Sequence, residues 1–372
     1  MFRPILPLAL ALSAALAPAE LLAQAPSPSP SPAATSVAPP PPPPAPAPST
    51  ESLINSMGSA DLQQAIQLLK SNYINPEALN EIELNRAMLA GVLSRLGRGV
   101  MLLPAQAPEA TETTRPFYGE ILDGHIAYLR LGALTAANLQ ALDAMMQTFP
   151  GKKVDAAVID LRASPATNDF GIAAEFADRF CPKGKLLFTL RKTTVKQERQ
   201  FNSSRDPAYQ GLMIVLADGD TSGPAEAIGG ALRLYNKALL IGQPTAGRAV
   251  EFSDLPLNGG RVLRVAVAET VLPEGPPLFP GGLKPDLPVE MPAVDKRLVF
   301  QQSLEKGMHQ FVFDVEWPHM NEAALLAGRN PELEALEAAQ RRGRAAEKPQ
   351  TRDPVLQRAV DMVTSLSIYQ QR

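Results

Sequence analysis

Between Leu212 and Arg248 the chain reads LMIVLADGDTSGPAEAIGGALRLYNKALLIGQPTAGR, and this stretch constrains the fold more than any other. Leu212 to Ala217 is a short, unbroken apolar run bounded by turn residues, the pattern of a buried strand. Asp218, Gly219, Asp220, Thr221, Ser222, Gly223 and Pro224 follow as a loop dense in turn chemistry. Ile228, Leu232 and Tyr235 then fall on one helical face, and Ala238 to Ile241 returns as a second apolar strand that breaks at Gly242. Strand, tight turn, helix and strand make a βαβ unit. In such units the loop beyond the strand's carboxyl end, feeding the helix N-terminus, is where chemistry is usually placed.

The same stretch resembles the active-site region of the carboxyl-terminal processing, or tail-specific, serine peptidases. That family uses a Ser–Lys dyad: a Gly-Ser-Ala-Ser-Ala-Ser-Glu loop carries the nucleophile, and a Thr-Phe-Gly-Lys-Gly segment carries the general base. Aligned without gaps, the family glutamate falls on Glu226, the helix Gly-Ala-Leu on Gly230, Ala231 and Leu232, and the later Thr and Gly on Thr245 and Gly247. The resemblance therefore places the nucleophile position at Gly223 and the base position at Arg248. Glycine has no side chain to attack a carbonyl. A guanidinium stays protonated, so it cannot take the nucleophile's proton as a desolvated lysine does.

The family's oxyanion hole fails on the same frame. One donor is the N–H of the residue after the nucleophile, here Pro224, which has none. The other lies in a Pro-Gly-Gly turn, which here reads Pro165, Ala166, Thr167. A family glutamine falls near Glu251 and Phe252. The resemblance implies an inactive homologue that binds an unstructured peptide or an envelope protein through the old groove. An active serine endopeptidase with Ser222 or Thr221 as displaced nucleophile is the alternative. A crotonase-type acyl-CoA enzyme is a third reading, disfavoured because an export signal would separate it from cytoplasmic CoA. Read without the family, Ser222 and Asp220 suit helix capping. Arg248 suits a charge partner for Asp218, Asp220, Glu226 or Glu251.

Residues 1–25 read as a signal peptide: Arg3 precedes an apolar run from Ile5 to Ala17, with Ala23-Gln24-Ala25 as an A-x-A site. The expected location is secreted or periplasmic, with an uncleaved N-terminal anchor as the alternative and no other membrane contact. Residues 26–52 are rich in Pro, Ala and Ser, a composition that favours a polyproline II spacer of roughly 75 Å. Residues 53–103 carry two helical faces, Leu62, Ile66, Leu69, Tyr73 and then Leu84, Met88, Val92, Leu96. Too little chain separates them from the next strand for the PDZ domain that most family members carry there.

Residues 118–292 are the expected core domain. Tyr118 to Leu122 and His125 to Leu131 form a hairpin around Asp123-Gly124. A helix over Thr135–Thr148 and a strand over Ala156–Leu161 follow, then the family-like Asp160-Leu161-Arg162, whose charges suit an ion pair at the strand end. Residues 293–372 are expected to be a helical extension, with Asp353-Pro354 opening its last helix. The resemblance implies an α/β layered core of the ClpP/crotonase type, and the alternation of strands and helices independently supports α/β. The formal charge of −3 gives no electrostatic case for nucleic acid. The single cysteine, Cys181, allows no intrachain disulfide, and neither a metal nor a cofactor is expected.

Overall fold

A computed structural model describes residues 49–104, 115–165, 167–313 and 351–370. The expected signal peptide, most of the expected proline-rich spacer, Ala166 and the helices expected between 321 and 347 lie outside the described residues. The chain divides into two units, Met1–Leu79 and Asn80–Arg372. The first holds α1 (Thr50–Ser56), whose N-cap Ser49 accepts the Ser52 N–H at 3.2 Å, and α2 (Ser59–Asn72). Helix α1 begins inside the stretch assigned to the spacer, because Ser49 supplies a cap just where the prolines end.

The second unit begins with α3 (Glu81–Leu96), capped by Asn80 and closed at Gly97, whose φ of 53° suits glycine. Ten strands and six more helices follow among the described residues: β1 (Val100–Leu103), β2 (Tyr118–Leu122), β3 (Ile126–Arg130), α4 (Ala136–Met146), α5 (Phe149–Lys152), β4 (Ala156–Asp160), α6 (Phe170–Asp178), β5 (Leu186–Lys192), β6 (Gln197–Asn202), β7 (Leu212–Ala217), α7 (Pro224–Asn236), β8 (Leu239–Gly242), β9 (Val250–Pro256), β10 (Val262–Val271), α8 (Ala293–Lys306) and α9 (Pro354–Gln370). A two-residue strand, β11 (Leu287–Pro288), lies between β10 and α8.

One sheet runs β11-β8-β7-β4-β3-β2, parallel except for β2. Its strands are apolar on both faces because both are covered. Ala127, Leu129, Ala157, Ile159, Met213 and Val215 face the core shared with α4, α6 and α7. Ile126, Tyr128, Ala156, Val158, Ile214 and Leu216 alternate with them toward Met308, Phe311 and the α9 residues Val355, Leu356, Ala359 and Val360. The other sheet is antiparallel: β10 carries β9 on one edge and β1, β5 and β6 beyond the other. Helices α6 and α7 lie between the two sheets. Phe170, Phe176, Phe180 and Phe188 are fully buried there, each contributing roughly 1.5–3 kcal/mol.

The architecture is α/β, as the alternation indicated, and the β7–α7–β8 unit stands where the apolar runs placed it. Asp123 and Gly124 adopt φ of 46° and 74°, the double positive φ of a tight hairpin turn. Three elements differ from the sequence reading. The β5–β6 hairpin went unread because β6, Gln-Glu-Arg-Gln-Phe-Asn, is polar and largely exposed. Strand β1 lies outside the 118–292 segment yet pairs with β10 through Val100 and Val265. The last helix is part of the core rather than an appendage. Asp353 is buried, and the Arg162 guanidinium binds it at 3.0 and 2.7 Å while also bridging Asp160 at 3.0 and 2.7 Å.

Candidate functional site

The β7–α7 loop and the segment after β8 meet on one carboxylate. Glu226, fully buried in the first turn of α7, accepts the Gly223 N–H at 2.9 Å and the Arg248 N–H at 2.8 Å on one oxygen. Its other oxygen accepts the Thr245 hydroxyl at 2.5 Å and the Gly247 N–H at 2.8 Å. Burial raises the Glu226 carboxyl above its ordinary range, against the pull of these four donors. A single side chain thus fixes residues 223 and 248 side by side, the two positions that the alignment paired.

Gly223 has φ 63° and ψ −127°, the first central position of a type II′ turn. The same strained geometry would be forced on any side chain placed there, as at a strand-to-helix elbow. A Cβ built on Gly223 would lie 3.3 Å from the Thr167 carbonyl oxygen and 3.8 Å from that of Arg248. Gly223 offers only hydrogen at this point, and its N–H is already bound to Glu226. Pro224 opens α7 without an N–H. Ala166 lies outside the described residues; Thr167 lines the cavity.

Neither fallback hydroxyl is placed for attack. The Thr221 hydroxyl accepts the Asp218 N–H at 3.1 Å and donates to the Leu161 carbonyl at 3.3 Å, a fully buried turn contact. The Ser222 hydroxyl is buried and has no hydrogen-bond partner among the described residues, so none of them sits beside it as a base. The capping roles also fall elsewhere. Gly223 is the N-cap of α7, and Glu226 reaches back to its N–H, so neither Ser222 nor Asp220 caps the helix. Asp220 and Asp218 instead hold Lys296 of α8 at 2.7 and 2.5 Å. Glu251 pairs with Lys192 and Arg199. Arg248 is exposed and makes no ion pair among the described residues, which corrects the expected pairing: each candidate carboxylate is already engaged.

An open cavity of about 650 Å³ lies over this point, lined by Met101, Ser222, Gly223, Arg248 and the β9 residues Phe252 to Asp254. Beside it lies a second, of about 560 Å³, lined by Asp169, Phe170, Arg199, Phe201 and Glu251. Thr167 and Asn168 line both. Asn168 is the partition. Its amide donates to the Phe252 carbonyl at 3.0 Å and accepts the Phe252 N–H at 2.8 Å, as a neighbouring strand would. Asp169 next to it caps α6 by accepting the Gly171 and Ile172 N–H groups, so helix entry fixes the asparagine against β9. Nothing in the sequence around Asn168 signals a partner 84 residues away.

Behind the site, the turn after β4 is held by Arg162. Tyr128 donates to Asp160 at 2.7 Å. Burial alone would raise the Asp160 carboxyl, but the Arg162 charge and hydrogen bonds outweigh it and hold the group below its ordinary value. The ion pair expected between Asp160 and Arg162 is present, with Asp353 as a third member that spacing alone could not supply.

Residues 125–289 match the family model described as peptidase family S41. The carboxy-terminal-processing protease of Bartonella bacilliformis is 28% identical over 179 residues, covering 47% of this chain and 41% of that protein. The carboxyl-terminal-processing protease of a Synechocystis species is 21% identical over 245 residues, covering 63% and 57%. The chain thus spans about half the length of these curated relatives. Among solved structures, a photosystem II D1 C-terminal processing protease superposes with TM-score 0.40 at 19% identity, covering 51% of this chain and 47% of that one. A lipoprotein from Streptococcus agalactiae gives 0.45 at 13% identity, covering 66% and 90%. Over residues 125–289 this chain is thus similar to peptidase family S41 and to proteins named carboxyl-terminal-processing proteases.

Proposed function

We propose that the protein is an exported S41 homologue without peptidase activity, which binds an extended peptide or partner segment in the divided groove between α7 and β9. One observation carries the reading: the residue aligned with the nucleophile is a glycine held at positive φ, its N–H bound to Glu226 and its successor a proline. Nucleophile, base and oxyanion donor are each replaced at the position the alignment assigns them. A displaced serine is the competing enzyme reading, and the buried hydroxyl of Ser222, without a partner among the described residues, speaks against it.

Strand β9 supports the binding half of the proposal, since β10 covers one of its edges and the other borders the cavity. An extended segment adding to that edge would replace the Asn168 amide at Phe252 and meet Arg248 beyond it. The test is titration of the chain, from residue 49 onward, into labelled casein peptides, with cleavage followed in the same samples. Saturable binding with intact peptide is expected. Cleavage would end the inactive reading, and no binding up to about 1 mM would end the binding reading.

A further inference from the structure

We propose that a third cavity, sharing no lining residue with the two described above and formed by the carboxyl ends of β3 and β4, the β7–α7 loop and α8, binds a small organic carboxylate. The cavity has a volume of about 370 Å³. Its polar wall is almost wholly cationic: Arg115, Arg130, Arg162, Lys296 and Arg297, against Asp220 as the one acidic residue. The carboxyl ends of parallel strands are where sheets of this kind receive ligands.

The cations differ in what they already hold. Arg162 is saturated by Asp160 and Asp353, and Lys296 by Asp218 and Asp220. Of those four acids only Asp220 lines the cavity; Asp160, Asp218 and Asp353 do not. Arg130 is different. It is 4% exposed, and among the described residues no carboxylate pairs with it. Its guanidinium is sandwiched between the rings of Tyr118, 4.7 Å from the centroid, and Phe300, 4.4 Å away, and one of its five N–H groups reaches the Ser303 hydroxyl at 3.1 Å. A nearly buried guanidinium lacking a counter-charge is costly, and an oxyanion entering the cavity would supply one. Glu120, close to Tyr118, is already occupied by the Tyr118 hydroxyl and the Met308 N–H.

Arg115 and Arg297 are exposed and, among the described residues, donate only to backbone carbonyls, those of Ala163 and Ala293. After Lys296, their charges also help to hold the Asp220 carboxyl below its ordinary value, which places both near the rim. Apart from the neutral amide of Gln301, the rest of the wall is apolar: Pro116, Ala163, Phe300 and Leu304. Cations at one end and a ring with an aliphatic side chain beside them suit a carboxylate carried on an apolar body better than bare phosphate. The volume suits a small molecule.

Calorimetry of the full chain at low salt, with benzoate, benzamide and inorganic phosphate as probes, tests the assignment. One-site saturation by benzoate is expected, weakening as salt rises. Benzamide should bind about tenfold more weakly or worse. Arg130→Gln should weaken benzoate by about tenfold, and Arg130→Lys should recover part of the loss. If Arg130→Gln does not fold, the exposed pair Arg115→Ala/Arg297→Ala decides, with several-fold weakening expected. Arg248→Ala should leave benzoate binding unchanged, which separates this cavity from the groove. Three results would each overturn the proposal: no saturation up to about 10 mM benzoate, equal affinity for benzamide, or unchanged affinity in the Arg115/Arg297 double variant. Tighter binding of phosphate than of benzoate would overturn the organic carboxylate.

Discussion

Replacing Glu226 with glutamine tests how the site is held. The side chain accepts four hydrogen bonds, two on each oxygen, and offers none. A glutamine of the same shape has only one acceptor oxygen. Turned toward Gly223 and Arg248, it keeps those two N–H groups but aims an NH2 at Thr245 and Gly247. The Thr245 hydroxyl can reverse toward it, although it already accepts the Leu283 N–H at 2.8 Å. The Gly247 N–H cannot reverse. Turned the other way, the amide opposes two N–H groups at once. The better orientation therefore leaves one buried backbone donor unsatisfied and one hydroxyl strained, a cost of about 2–4 kcal/mol. Glu226→Ala should cost more, because all four donors lose their acceptor. Urea unfolding of Glu226→Gln against the parent chain measures the difference directly. Backbone amide exchange at Gly223, Gly247 and Arg248 should speed up in the same variant. A penalty below about 0.5 kcal/mol, with exchange unchanged, would refute the idea that this carboxylate joins the two loops.

Other expectations follow from the same contacts. Asn168→Ala removes the amide that competes for Phe252, so casein peptides should bind about 5–30-fold tighter in the titration, two hydrogen bonds being worth about 1 kcal/mol each; weaker binding would make Asn168 a contact rather than a partition. Asp353→Ala strands the buried Arg162 and uncaps α9, where Asp353 accepts the Val355 and Leu356 N–H groups, and should cost about 3–5 kcal/mol for the pair and roughly 1 more for the cap in urea unfolding. Asp160 titrates below its ordinary value when folded, so its stabilising contribution is present above an unfolded pKa of about 3.9 and is lost as pH falls through the lower folded value. Acid unfolding should therefore steepen below about pH 4, and Asp160→Asn should flatten that limb.

The parallel sheet was legible because its strands are continuous apolar runs and its turns carry Gly, Pro and Asp. The Asp123-Gly124 hairpin and the helix opened by Asp353-Pro354 are local signals of that kind. What escaped notice was held by distant partners. Strand β6 is polar because it lies at an edge, so periodicity had nothing to find. The roles expected of Ser222, Asp220 and Arg248 rested on spacing within one loop. Lys296 reaches Asp218 and Asp220 from α8, more than 70 residues away, and redirects them. Glu226 marked the frame in sequence, but its four-donor role needed the loops folded together. Asn168 lies one residue before a helix cap, and nothing local tells that its amide would turn outward to a strand.

The central claim is that the residues where S41 peptidases carry their dyad retain the backbone and have lost the chemistry. Incubation of the purified chain with a fluorophosphonate probe, followed by intact-mass analysis and peptide mapping, tests it most directly. The account requires unmodified protein after prolonged incubation, whereas a Gly223→Ser/Pro224→Ala/Arg248→Lys variant should acquire label at residue 223. Stoichiometric labelling of the unaltered chain at Ser222 or Thr221 would contradict it.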